Sequence, residues 1–137
     1  MSQPPRFLIV DDNTINRSLL EHLLRGYGEC FFAVDGFDAI NQFTELYQQG
    51  KPADVIFLDV MMPGMTGNQV LEKIRDWEMQ QQVEKGVEVV MVSALRDGPD
   101  IQASLEAGAR HYLTKPYKET TVYRLLDQMG FEPQKTA

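Results

Sequence analysis

Three aspartates, a serine and a lysine stand where short apolar runs of this 137-residue chain come to an end. Asp11 and Asp12 follow Phe7 to Val10, Asp59 follows Val55 to Leu58, and Ser93 follows Val89 to Val92. Lys115 comes directly after a weaker run, Tyr112 to Thr114. An aspartate at a strand end commonly caps or turns the chain into the next helix, and for Asp12 alone capping is the simpler reading. Asp59 resists that reading, because Met61, Met62, Pro63 and Gly64 after it offer no helix to cap. If the runs are strands of one open sheet, these side chains share the carboxyl edge, where α/β sheets bind their ligands. Three carboxylates there would repel by roughly 4 kcal/mol per close pair at an effective dielectric of about 20, so a cation must join them. The cluster holds no His or Cys, which argues against zinc or copper and for a hard divalent cation with oxygen ligands. Mg²⁺ fits best, since it keeps several waters and takes only one or two protein carboxylates. Lys115 would add a second positive charge and Ser93 a hydroxyl donor. A transferred phosphoryl group would then meet metal, ammonium and hydroxyl on its three equatorial oxygens while Asp59 attacks phosphorus.

The elements that must position these groups are legible in the apolar pattern. Phe7 to Val10, Cys30 to Val34, Val55 to Leu58 and Val89 to Val92 are nearly continuous runs, as expected of strands covered by helices on both sheet faces. The short fifth run, Tyr112 to Thr114, predicts a strand at a sheet edge. Between the runs, apolar residues recur every three or four positions. They are Ile15, Leu19, Leu20, Leu23 and Leu24; Ala39, Ile40, Phe43, Leu46 and Tyr47; Val70, Leu71, Ile74 and Trp77; Ile101 and Leu105; and Val122, Leu125, Leu126 and Met129. Five helices therefore alternate with five strands, which predicts right-handed crossovers and an α/β, doubly wound (βα)5 fold with a five-stranded parallel sheet. Asp12 or Asn13 is available to cap the first helix, Gly26 and Gly28 to end it, and Gly130 to end the last. Residues 1–131 are expected to form the domain and 132–137 a polar C-terminal tail. Gln80 to Gln82 is expected to extend the third helix into solvent before the Gly86 turn.

A formal charge of −7 repels phosphate backbones and anionic lipid, so neither direct nucleic-acid binding nor membrane association is expected. The N-terminal apolar run is too short for a signal-peptide core or a membrane span, which points to the cytoplasm. Cys30, the single cysteine, reads as a buried small hydrophobe in a reducing compartment. His22 and His111 read as solvated side chains, and Met61, Met62 and Met65 as shapers of the loop after Asp59.

Over about Arg6 to Phe131 the chain resembles the receiver domains of bacterial response regulators, of the single-domain, chemotaxis-regulator type. The resemblance is carried by Val10-Asp11-Asp12-Asn13, Leu58-Asp59-Val60-Met61-Met62-Pro63-Gly64-Met65-Thr66-Gly67, Ser93-Ala94 and Lys115-Pro116, in order and at strand ends. It implies the flavodoxin-like strand order 2-1-3-4-5, Asp59 as phosphoacceptor, and Mg²⁺ held by Asp12, Asp59 and the backbone carbonyl of Met61, with Asp11 assisting through water. It further implies that Lys115 contacts the phosphoryl group, that Ser93 is the switch hydroxyl and Tyr112 the aromatic coupled to it, and that the Lys115-Pro116 bond is cis. Met61 and Leu95, two past Asp59 and Ser93, are apolar and cannot position a hydrolytic water, which predicts a long-lived acyl phosphate.

The implied partners are a sensor histidine kinase or phosphotransfer protein as donor and a downstream protein as receiver of the signal. The expected output face combines the fourth helix, fifth strand and fifth helix, through Ile101, Leu105, Tyr112, Tyr117 and Val122, and leaves room for a homodimer. Phosphorylation would shift a pre-existing equilibrium of this face. Rival functions fit less well. An aspartate-nucleophile phosphatase of the haloacid dehalogenase type needs Asp-x-Asp after the first strand, where this chain has Asp11-Asp12-Asn13. Neither nucleotide-binding glycine loop is present, and a flavodoxin-type phosphate loop is missing. The runner-up is a receiver-like interaction module that no longer uses phosphorylation.

Overall fold

The computed structural model describes residues 4–94 and 109–134. Its strands are β1 (Arg6–Val10), β2 (Glu29–Ala33), β3 (Val55–Asp59), β4 (Glu88–Ser93) and β5 (His111–Thr114). The helices among the described residues are α1 (Thr14–Leu24), α2 (Gly36–Gln48), α3 (Gly67–Gln80) and α4 (Glu119–Gln128). All strand pairs are parallel and the order is β2-β1-β3-β4-β5, as anticipated. The expected helix of Ile101 and Leu105 lies outside the described residues, so α4 corresponds to the fifth helical segment of the sequence.

Two apolar layers explain why the central runs do not alternate. Leu8, Val10, Ile56, Leu58, Val89 and Met91 face α2 and α3, where Phe43, Leu46, Val70, Leu71 and Ile74 meet them. Phe7, Ile9, Val55, Phe57, Val90 and Val92 face the other way, onto Leu20, Leu23 and Leu24 of α1 and Val122, Leu125 and Leu126 of α4. Burying each such side chain contributes about 1.5–3 kcal/mol, so every residue of β3 from Val55 to Leu58 carries weight on one face or the other.

Helix starts are set by short polar caps. Asn13, not Asp12, caps α1 by accepting from Asn16 N, and Asp35 does the same for α2 from Asp38 N. Thr66 and Gln69 form a reciprocal capping box on α3. At the other end of α3, the Gln82 N–H donates to Met79 O at 3.1 Å and the Val83 N–H to Glu78 O at 3.0 Å. This closure places Gln82 at φ 58°, the left-handed region that favours glycine.

Several sequence expectations need correction. Ile15 and Leu19 lie on the apolar spacing of α1 yet are 77% and 50% exposed, because the helix shows the sheet only Leu20, Leu23 and Leu24. Val122, expected on the output face, is fully buried in the core beneath α4. His111 is not a solvated side chain: it is half-buried, with Nε2 3.1 Å from Glu88 Oε2 on the neighbouring strand. Cys30 is only half-buried, since β2 is an edge strand, and burial pushes its thiol up to about 11. His22 is exposed, as expected. After α4 the chain stays attached, with the Phe131 ring edge-on to Phe7 and the Gln134 N–H donating to Gly26 O at 2.8 Å. No described helix is long and apolar enough to cross a membrane.

Candidate functional site

Parallel register alone brings the chemically interesting residues to one edge. Val10 is level with Leu58, Asp59 with Val92, and Ser93 with Thr114, so Asp11, Asp59, Ser93 and Lys115 leave the sheet within two residues of each other. The turn after β3 is tight. The Gly67 N–H donates to Val60 O at 2.9 Å, and a Cβ at Gly67 would collide with the Asp59 carbonyl, so only glycine lets α3 start this close to the strand.

The carboxylates of Asp11, Asp12 and Asp59 come together, with a ligand atom from each lying within 4.8 Å of the others. Asp11 and Asp59 are both 6% exposed, and Asp12 faces solvent. The Lys115 ammonium reaches in from the end of β5, 3.3 Å from Asp11 Oδ2 and 3.7 Å from Asp59 Oδ2. Asp11 Oδ1 accepts from the Asn13 N–H at 2.9 Å, and Asp59 Oδ1 from the Met61 N–H at 3.1 Å. Ser93 is buried beside this group at the end of β4, and its carbonyl accepts from the Lys115 N–H at 2.7 Å. The Lys115-Pro116 bond is cis, as the resemblance implied.

The electrostatics are unbalanced. Burial pushes the Asp59 carboxyl up to about 6; Lys115 and the Met61 N–H pull it down, while Asp11 and Asp12 push it further up. One ammonium thus offsets three acids incompletely. An all-carboxylate donor set of this kind fits a hard divalent cation such as Mg²⁺.

The family description "Response regulator receiver domain" matches residues 7–127. The chain belongs to that family. As a receiver it is a phosphorylation-dependent signalling domain, not an enzyme that turns over an external substrate, and receivers generally bind Mg²⁺ at such an acidic site. Among its relatives, the sensor histidine kinase GacS of Pseudomonas protegens is 39% identical over 119 residues, 86% of this receiver and 12% of GacS. The receiver spans less than half the length of the first curated relatives it matches. The chemotaxis protein CheY4 of Vibrio cholerae superposes with a TM-score of 0.76 at 28% identity, covering 91% of this receiver and 98% of that chain. A chain of the co-crystal structure of the Saccharomyces cerevisiae phosphotransfer protein Ypd1 and the receiver domain of Ssk1 gives 0.80 at 28%, covering 95% and 92%.

The other sequence candidates fall in different surroundings. Tyr112 is half-buried against the α2–α3 layer, and its hydroxyl is buried with no hydrogen-bond partner among the described residues. The Met61 side chain is exposed, whereas Met62 and Met65 are buried and do shape the loop. Leu95 lies outside the described residues. Sequence reasoning quoted Gly67 within a motif without reading its steric role, and missed Arg17. Arg17 Nη1 donates to the Asp11 carbonyl at 2.6 Å, and its only signal was an arginine within two turns of an acidic pair.

Proposed function

We propose that this receiver accepts a phosphoryl group on Asp59 from a phosphohistidine of a sensor kinase or phosphotransfer protein, in the cytoplasm. The observation that carries the reading is the meeting of three carboxylates from two strand ends with the Lys115 ammonium from a third. An Asp59 oxygen forms the new P–O bond as the P–N bond breaks, and the histidine nitrogen keeps the electron pair. Lys115 then balances charge on the phosphoryl oxygens and Ser93 donates its hydroxyl to them. Asp12, Asp59 and the Met61 backbone carbonyl would hold Mg²⁺, with Asp11 acting through water. When bound, the ion supplies the positive charge that the cluster lacks.

Drawing Ser93 toward the phosphoryl group frees space beside β5 for Tyr112. A half-buried ring whose hydroxyl has no partner among the described residues is poised for two positions, and a downstream protein or a second copy binding the β5 and α4 face would favour one of them. With Val122 in the core, Tyr112 and Tyr117 are the described candidates for that face. Ile15 and Leu19 are exposed one helical turn apart on α1, directly after the acidic turn, and supply an apolar landing for the donor. The apolar residues Met61 and Leu95 favour a long-lived acyl phosphate.

Acetyl phosphate with Mg²⁺ should add one phosphoryl mass to the intact protein, and Asp59→Asn should add none. Lys115→Ala should slow the reaction by about 100-fold. Wild-type protein that gains no mass at ample metal and donor would leave the interaction-module reading in its place.

A further inference from the structure

We infer that Arg17 is a positioning residue for the cation site, holding the turn that presents Asp11 and Asp12. The inference rests on the Mg²⁺-dependent reading of that site. Asp11 is the first residue beyond β1, and its backbone is engaged on both sides: its N–H donates to Ala33 O at 3.2 Å, and its carbonyl accepts from Arg17 Nη1 at 2.6 Å. The second guanidinium nitrogen, Nη2, donates to Thr14 Oγ1 at 3.1 Å. One planar fork therefore bridges the strand end and the first turn of α1, while the Arg17 backbone N–H donates to Asn13 O at 3.1 Å. Asn13 in turn gives its N–H to Asp11 Oδ1.

The turn is thus closed around Asp12. No hydrogen bond among the described residues orients the Asp12 carboxylate, so the backbone path alone places it. Groups that orient ligands in this way typically change metal affinity 10–100-fold when removed.

The contacts also separate geometry from charge. Arg17 forms no ion pair with a carboxylate among the described residues; its bonds go to a carbonyl and a hydroxyl. As a mere positive charge it would repel Mg²⁺, so deleting it would tighten binding. As a positioning group its loss weakens binding, and the two roles predict opposite signs.

The test is Mg²⁺ titration by calorimetry of the unphosphorylated wild type, Arg17→Ala and Arg17→Lys, with thermal unfolding of each metal-free protein as a fold control. Arg17→Lys keeps the charge and loses the fork. Both variants are expected to bind Mg²⁺ about tenfold more weakly, with the acetyl phosphate rate recovered at saturating Mg²⁺. Should the Ala variant fail to fold, the Lys variant decides on its own. Binding in the folded variants as tight as wild type, or tighter, overturns the inference, as does lost stability with unchanged affinity. A wild type that binds no Mg²⁺ overturns the functional reading along with it, whereas a binding wild type with unaffected variants overturns this inference alone.

Discussion

Asp59 and Glu78 are buried to the same degree, 6% exposed each, at opposite ends of the same sheet, and they are satisfied by different things. Glu78 Oε1 accepts from Arg75 Nη1 at 2.8 Å, and Oε2 from the Val87 N–H at 2.7 Å. The protein itself completes that carboxylate, and in doing so pins the end of α3 to the start of β4. Close by, Glu88 of β4 is matched by His111 and Arg110. Asp59 receives one backbone N–H and shares one ammonium with Asp11, while two further acids crowd it. A buried charge that the fold completes is architecture, and one that the fold leaves short is a seat for something from solution.

That contrast predicts opposite signs for removing the two acids. Glu78→Ala should destabilise by about 2–3 kcal/mol in urea unfolding, because it orphans the buried Val87 N–H and removes the acid that Arg75 pairs with. The folded variant should still take phosphate on Asp59, and a loss of acceptance out of proportion to stability would erase the distinction between the two ends.

Asp59→Asn should instead stabilise the metal-free protein at pH 7, by about 1–2 kcal/mol. The sign follows from the raised carboxyl, about 6 in the fold against 3.8 ordinarily. Below 3.8 both states hold the proton and nothing is lost; between 3.8 and about 6 the unfolded chain ionises while the desolvated carboxyl in the fold keeps its proton, so stability falls and then levels off above 6. The gain measured for Asp59→Asn should therefore vanish near pH 3.5 and be complete by about pH 7. A variant less stable than wild type at neutral pH would show Asp59 to be completed by the fold after all.

The smallest effect belongs to the Glu78 end. Gln82→Gly should relieve the left-handed backbone that closes α3 and add about 0.5–1 kcal/mol with no change in phosphate acceptance, read from the denaturation midpoint. Strain at that end serves closure of a helix and not chemistry.

The sequence made the central strands plain because β1, β3 and β4 are apolar on both faces, and it made the acid pocket plain because charge at a strand end violates that pattern. It was weakest where a side chain's partner lies far along the chain. Nothing near His111 announces Glu88, 23 positions away, and apolar spacing could not say that α1 shows the sheet three leucines and solvent the rest. Glu78 left a usable trace, falling on the buried stripe four after Ile74 and seven after Leu71, where an acid needs a partner. Position alone suggested Ser93 as a hydroxyl donor, whereas the switch roles of Ser93 and Tyr112 were read by resemblance, since an alcohol and a phenol on strands carry no such contradiction.

Lys115 meets Asp11 across 104 positions, and β5 is the last strand of the sheet to be synthesised. A nascent chain still missing that strand carries all three aspartates without the ammonium that tempers them. The pairing of acid and ammonium therefore waits on the last strand of the sheet to emerge.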